Sequence, residues 1–149
     1  MVEDCVFCQI IRKQAIGCIV YEDSQTVAFL TNRPINEGHT LVVPKQHYEN
    51  IYELPDEQIS HLFRVVKKVG VGVRDAVSAE GIRLVQNNGV AAGQVIFHFH
   101  VHVIPMKPHE GFMQNRAYRD PSQGRMLEAL ELDAEKIRQK LNSPHSPHI

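Results

Sequence analysis

The run HFHVHV, His98 to Val103, sets histidine at every second position with an apolar residue in each gap. A period of two is the signature of a strand, in which alternate side chains share one face at a spacing of about 7 Å. His98, His100 and His102 therefore line one face of a sheet. Phe97, Phe99, Val101 and Val103 line the other, which reads as the core face. Three neutral imidazoles gain little from dry packing, so their face is expected to open on a cleft. Histidine is nine of 149 residues, and three within five positions call for a cause. The bland cause is a row of hydrogen-bonded structural histidines. The chemical causes are a metal site, or a nucleophile with helpers.

The strand that carries them is expected to run from Val95 to Ile104, with Pro105 stopping it. Upstream, GCIVYEDSQTVAFLT reads as a hairpin: Cys18 to Tyr21, a polar turn at Glu22 to Gln25, then Thr26 to Leu30. The loop RPINEG leads into the β-branched run HTLVVP, which Pro44 ends. Pro55 opens a helix whose first turn holds Asp56 and Glu57, where acids complement the macrodipole. Apolar residues from Ile59 through Val66 and Val73 keep helical spacing as far as Ala79. Gly70 and Gly72 each weaken that helix by about 1 kcal/mol, and a close approach to a neighbouring element would account for them. IRLVQN is a further strand and NNGVAAG a loop. Apolar positions from Met126 to Leu141 mark a second helix. Strands joined by short turns, with helices inserted, favour an α+β fold: an antiparallel sheet of about five strands with two main helices. The long helix could also make a crossover that pairs its flanking strands in parallel.

A chain of this length fits a single domain, here residues 1–141, with NSPHSPHI at 142–149 as a frayed tail. The formal net charge of -1 gives no long-range pull toward nucleic acid or an anionic membrane, so any anionic ligand must be held by local donors. No window approaches the roughly 20 apolar residues of a membrane span. MVEDCVFCQIIRKQ carries acids where a signal peptide carries bases. Three cysteines, an odd number, suit a reducing compartment better than a disulfide scaffold, and a cytoplasmic protein is the expectation.

Two chemistries suit the histidine row. A His-x-His pair on a strand can chelate a catalytic zinc. Metallo-β-lactamase-like hydrolases need an aspartate soon after, where Val103 and Ile104 stand. A cupin needs a downstream glutamate, for which Glu110, beyond Pro105 and Pro108, is poorly placed. In the other chemistry one neutral imidazole attacks phosphorus near pH 7, and its neighbours orient it or bind substrate oxygens. Separately, Cys5 and Cys8 in CVFC have metal-ligand spacing, yet a closed tetrahedral site needs two more ligands. A thioredoxin-like redox pair is the rival, and its βαβ context is not evident. Cys18 has no partner and reads as a small hydrophobe.

HFHVHVI, His98 to Ile104, resembles the His-φ-His-φ-His-φ-φ signature of the histidine triad (HIT) family of nucleotide-binding proteins. CVFCQII, VYED, AFL, GHTLVVPKQHYEN and AAGQVIFHFHVHVIP are similar to bacterial and archaeal members in the same order, over roughly residues 5 to 106. The C-terminal third, including HEGF, matches only loosely. The resemblance implies a HIT-like fold and a homodimer whose sheet continues across the interface, with the glycine-bearing helix as an interface element. It implies that His100 attacks the α-phosphorus of a purine nucleotide or other nucleoside 5′-phosphoryl compound. A nucleotidyl-histidine would form, and water would release the nucleoside monophosphate (AMP from an adenosine compound). The substrate would be a phosphoramidate, an acyl nucleotide or a dinucleoside polyphosphate.

By the same resemblance His102 would donate to a phosphate oxygen, and His39 would support the cluster from a neighbouring strand. Asn87 takes the phosphate-side asparagine position, and Gly93 and Gln94 would bring backbone N–H groups to phosphate. A structural zinc ion (Zn2+) would be held by Cys5, Cys8, His47 and His98. Two positions depart from the pattern. Thr31 stands where relatives carry aspartate or asparagine for the ribose hydroxyls, with Asn32 one residue away. Met106, followed by Lys107, stands where many carry arginine. These departures keep open a second class, a nucleotide-binding or sensing module with incidental turnover. A zinc hydrolase with metal-bound water is a third.

Overall fold

A computed structural model describes residues 3–108 and 125–143. Its strands are β1 (Ile19–Glu22), β2 (Thr26–Leu30), β3 (Thr40–Pro44), β4 (Gly81–Val85) and β5 (Val101–Met106). They form one sheet in the order β1-β2-β3-β5-β4. The helices are α1 (Val6–Ile11), α2 (Asp56–Ala76) and α3 (Leu127–Asn142). Every strand pairing is antiparallel. The expected α+β sheet and both main helices are present, and α1 is an addition. α2 does cross from β3 to β4, but β5 lies between those strands, so they do not pair.

β2 and β3 are buried at every residue because both faces of the sheet are covered. On one face Ala28, Val42, Val101 and Val103 pack with Val66 and Val69 of α2 and Ile137 of α3. On the other, Phe29, Leu41 and Val43 meet Phe7, Cys8 and Ile10 of α1. Strand alternation then puts Phe99 on the helix face and the histidines on the α1 face.

The expected strand from Val95 to Ile104 needs correction: the ladder begins at Val101 and ends at Met106. The segment before it is held by the Phe99 N–H, which donates to the Tyr48 carbonyl at 2.7 Å. Phe97 accordingly leaves the core and is 40% exposed. Pro105 does not stop β5. It sits opposite Ile82 of β4, beyond the last β3 pairing at Val103, and its carbonyl accepts from Asn36 Nδ2 at 2.8 Å on the β3 side. The N–H and C=O of one residue leave an antiparallel strand on the same side, so the donor proline lacks costs no ladder bond.

α2 ends at Ala76 rather than Ala79, and Ser78 adopts a φ of 55°. Its glycines do serve close approach, from within the chain. A Cβ on Gly70 would stand 2.7 Å from Ile82 Cδ1, and one on Gly72 2.5 Å from Leu141 Cδ2. β4 and α3 thus account for them. α3 runs through Asn142; HEGF and residues 144–149 of the expected tail lie outside the described residues. No helix among the described residues is long and apolar enough to cross a membrane.

Candidate functional site

The three histidines of the row stand where β5 begins, and a different partner fixes each ring. His98 Nε2 lies 2.8 Å from the Pro44 carbonyl. A carbonyl only accepts, so Nε2 carries the proton and Nδ1 keeps its lone pair. His100 is held the other way round: its Nδ1 donates to the His98 carbonyl at 2.6 Å, which leaves Nε2 unprotonated. His39, just before β3, accepts the Ile35 N–H on Nδ1 at 3.0 Å. Neutral His39 therefore donates from Nε2 to His102 Nδ1 at 2.9 Å, which leaves the His102 proton on Nε2.

Burial keeps these rings neutral near pH 7. It pushes His39 down to about 3, helped by the charges of His102 and His100. Burial and then the His100 charge bring His102 to about 4. His98 falls to about 4, again through burial first. His100 is lowered by burial, against the opposing pull of the His98 carbonyl.

His100 and His102 line a cavity of about 810 Å³, with Asn87 and Gly93 beside them and apolar Phe7, Ile10, Phe29 and Leu41 in its wall. Thr31 and Asn32 line it as well. His98 does not share this cleft; it is fully buried. Among the described residues, the cavity thus meets one basic nitrogen, on His100, next to a ring whose proton is on Nε2, His102. Such a pair can attack an electrophile and steady an oxygen on it.

Gly93 has a φ of +89°, a backbone conformation that glycine adopts readily and other residues rarely do. The Gly93 and Gln94 N–H groups, which the resemblance gives to phosphate, are engaged within the chain. Those groups donate to Val90 O and Gly89 O, both at 3.0 Å, inside the 3-10 turn Val90–Ala92. The buried Gln94 side chain staples the loop, accepting from the Gly89 N–H and donating to the Glu49 and Ile96 carbonyls.

Beneath the cleft, Cys5 Sγ, Cys8 Sγ, His47 Nδ1 and His98 Nδ1 all lie within 4.8 Å of one another. His98 Nδ1 is 3.4 Å from Cys5 Sγ, 3.6 Å from Cys8 Sγ and 3.2 Å from His47 Nδ1. Cys8 Sγ is 3.4 Å from His47 Nδ1. Tetrahedral zinc with ordinary bond lengths separates its ligand atoms by about 3.3–3.8 Å. The donor types fit, as do these four separations, and the Pro44 carbonyl leaves His98 Nδ1 in the ligating form. The cysteines reach one point because they sit one turn apart: Cys5 caps α1, its sulfur accepting the Cys8 N–H at 3.4 Å.

Phe7, between those cysteines, is a site residue that the sequence reading misses. Its ring meets His98 edge-on at 5.8 Å, His100 at 5.2 Å and Phe29 at 5.3 Å. Its position inside CVFC is the available signal. Cys18 is buried, and burial, then a hydrogen bond with Glu131, pushes its thiol up to about 12. It packs as an inert small hydrophobe.

The profile of the HIT domain family matches residues 12–109. An uncharacterised HIT-like protein of Saccharolobus solfataricus is 46% identical over 101 residues, 68% of this chain and 73% of that one. An adenylylsulfatase of Arabidopsis thaliana is 36% identical over 132 residues, 89% of this chain and 64% of that one. An adenosine 5′-monophosphoramidase of Candida albicans is 36% identical over 107 residues, 69% and 70% of the two chains. Among solved structures, a hypothetical histidine triad nucleotide-binding protein of Sulfolobus tokodaii superimposes with a TM-score of 0.81 at 41% identity, covering 92% of this chain and 91% of that one. A zinc-bound histidine triad family protein of Mycobacterium smegmatis does so with a TM-score of 0.78 at 30% identity, covering 93% of each.

Proposed function

This chain belongs to the HIT domain family, and we propose that it is a hydrolase acting at the α-phosphate of nucleoside 5′-phosphoryl compounds. The observation that carries this reading is the His98 carbonyl 2.6 Å from His100 Nδ1, which leaves Nε2 of a cavity-lining ring free to attack. A bond forms between Nε2 and the α-phosphorus as the bond to the leaving group breaks. The His98 carbonyl steadies the charge that the ring then carries. Water next attacks the same phosphorus and the P–N bond breaks, releasing the nucleoside monophosphate and returning His100 to its neutral form. The leaving group takes a proton from solvent as it departs in the first step, and the attacking water gives one back to solvent in the second, so the protons balance. The His102 Nε2–H would hold a phosphate oxygen throughout, and Asn87 would face the same phosphate.

The related phosphoramidase and adenylylsulfatase are named for this class of bond, which supports a phosphoramidate or a mixed anhydride as substrate. Zinc is the metal we assign to Cys5, Cys8, His47 and His98, on the donor spacing and the zinc-bound relative. Four protein ligands close a tetrahedral site and leave no position for a reactive water, so the metal's contribution is to fix α1 against the nucleophile's strand. The reading includes a homodimer that continues the sheet. Edge strand β4 supports it, with Ile82 36% and Leu84 46% exposed.

The test is a brief incubation with adenosine 5′-phosphoramidate, followed by mass spectrometry. An adenylyl group is expected on His100, and His100→Ala should abolish both adduct and turnover. Stoichiometric nucleotide binding without His100-dependent turnover of any phosphoramidate, acyl nucleotide or dinucleoside polyphosphate would instead make the protein a sensing module.

A further inference from the structure

α3 lies beyond the residues that the family profile matches, yet the chain leading into it reaches the cavity: Arg125, Leu127 and Leu130 all line it. The Arg125 N–H donates to the Asn32 carbonyl at 2.8 Å and ties this segment to the loop after β2. The buried face of α3 holds Leu130, Asp133, Ala134, Ile137 and Leu141. Asp133 is the anomaly in that series, a carboxylate only 2% exposed. Both its oxygens bind the Arg125 guanidinium, from Nε at 2.7 Å and Nη2 at 3.1 Å. A buried ion pair rarely stabilises a fold more than a well-packed apolar side chain does. Stability therefore gives no reason for aspartate where leucine would fit. What it does achieve is to fix a guanidinium in the cavity wall.

The same cavity is lined by Thr31, Asn32 and Arg33. The Thr31 N–H donates to the His39 carbonyl at 3.2 Å, and the His39 ring holds His102, so this segment adjoins the catalytic histidines. No aspartate or glutamate is among the described residues that line the cavity, whereas two arginines are. Among the described residues, with Arg125 matched by Asp133, Arg33 gives this wall its excess positive charge. A bare ribose diol is a pair of donors best met by a carboxylate, whereas a guanidinium in that role meets a phosphate.

We propose that Arg33 and Arg125 form a subsite for a second phosphate of the substrate, apart from the one His100 attacks. This rests on the hydrolase reading and narrows it to nucleoside 5′-phosphoryl compounds that carry a further phosphate. A phosphomonoester on the ribose and the distal phosphates of a polyphosphate chain share that chemistry. Arg33 and Arg125 determine specificity; Asp133 is a positioning residue.

Titration calorimetry on the full chain tests this without relying on turnover. AMP is compared with adenosine 3′,5′-bisphosphate, adenosine 2′,5′-bisphosphate and ADP, for wild type, Arg33→Gln and Asp133→Leu. At least one doubly phosphorylated ligand is expected to bind about tenfold or more tightly than AMP. Arg33→Gln should erase most of that ratio, and the ligand concerned identifies the source of the second phosphate. Asp133→Leu should shrink the ratio too, whereas a pair with a purely structural role would leave the ratio at its wild-type value. Should Asp133→Leu fail to fold, the exposed Arg33 still decides the matter. Equal affinities for all four ligands, or a ratio that Arg33→Gln leaves untouched, would overturn the subsite. Loss of the hydrolase reading is seen separately, as the absence of any His100-dependent turnover.

Discussion

The His98 carbonyl accepts the His100 Nδ1–H at 2.6 Å, while the His98 ring lies 3.2–3.6 Å from the ligating atoms of His47, Cys5 and Cys8. One residue therefore joins the candidate metal site to the proposed nucleophile, by its side chain on one side and its backbone on the other. Phe7, lodged between the two cysteines, touches both rings.

Metal removal should consequently loosen the fold and slow turnover together. A chelator is expected to raise amide exchange in α1 and lower kcat in step, and Cys8→Ser should do the same. The destabilisation should reach several kcal/mol, below the roughly 10 kcal/mol of a domain that depends wholly on its zinc. Activity lost at once from a chain whose α1 exchange stays unchanged would favour a metal that takes part in the chemistry.

His39→Ala should damage both stability and catalysis. It leaves the Ile35 N–H and His102 Nδ1 without partners, at a cost of about 1–3 kcal/mol. It also frees His102 to carry its proton on Nδ1, where it cannot serve a phosphate from Nε2. His39→Gln, whose amide can both accept and donate, should recover part of each loss. Urea denaturation measures the first effect and nitrogen NMR of the His102 tautomer the second.

Much of this site is legible in the sequence because strand alternation is intrinsic to the backbone. Three histidines two apart have to share a face, and Phe99, Val101 and Val103 have to share the other. The cysteine and histidine set requires the resemblance, since nothing local links Cys5 to residues as distant as His47 and His98. The strand start is misplaced by pattern alone because Phe99 bonds to Tyr48, a partner remote in sequence. At six residues, α1 is too short to declare a period. The tautomers hang on the Pro44 and His98 carbonyls, and backbone acceptors leave no trace in residue identity. The N–H groups of Gly93 and Gln94 escape assignment for the same reason. Asp133 does leave a trace, as an acid one position before Ala134 on an apolar helix face, but its partner Arg125 precedes the helix.

If the sheet continues into a second copy through β4, then Leu84→Lys should separate the protomers. An edge strand tolerates lysine well when it faces water and poorly when it must pair. Sedimentation velocity should show the wild type as a dimer and the variant as a monomer, with a similar circular dichroism spectrum. A dimer that survives both Leu84→Lys and Ile82→Lys would place the interface elsewhere.

Acid should unfold this protein through its buried imidazoles. His39 and His102 are held near 3 and near 4 in the fold, while an unfolded chain protonates histidine at about 6.5. Between those values the unfolded state binds more protons, so stability rises with pH. The contribution is therefore fully present above about pH 6.5 and is lost progressively as pH falls toward 4 and then 3. Each ring contributes up to about 1.4 kcal/mol per pH unit within its window. His100 is also lowered, so its neutral form outlasts that of a free imidazole, and the acid limb of kcat/KM should lie below pH 6.5. Urea midpoints at half-unit steps from pH 7.5 to 4.5 would show the slope, and His39→Gln should flatten it. A wild-type midpoint unchanged across that range would mean that these rings are charged, or solvated, in the folded protein.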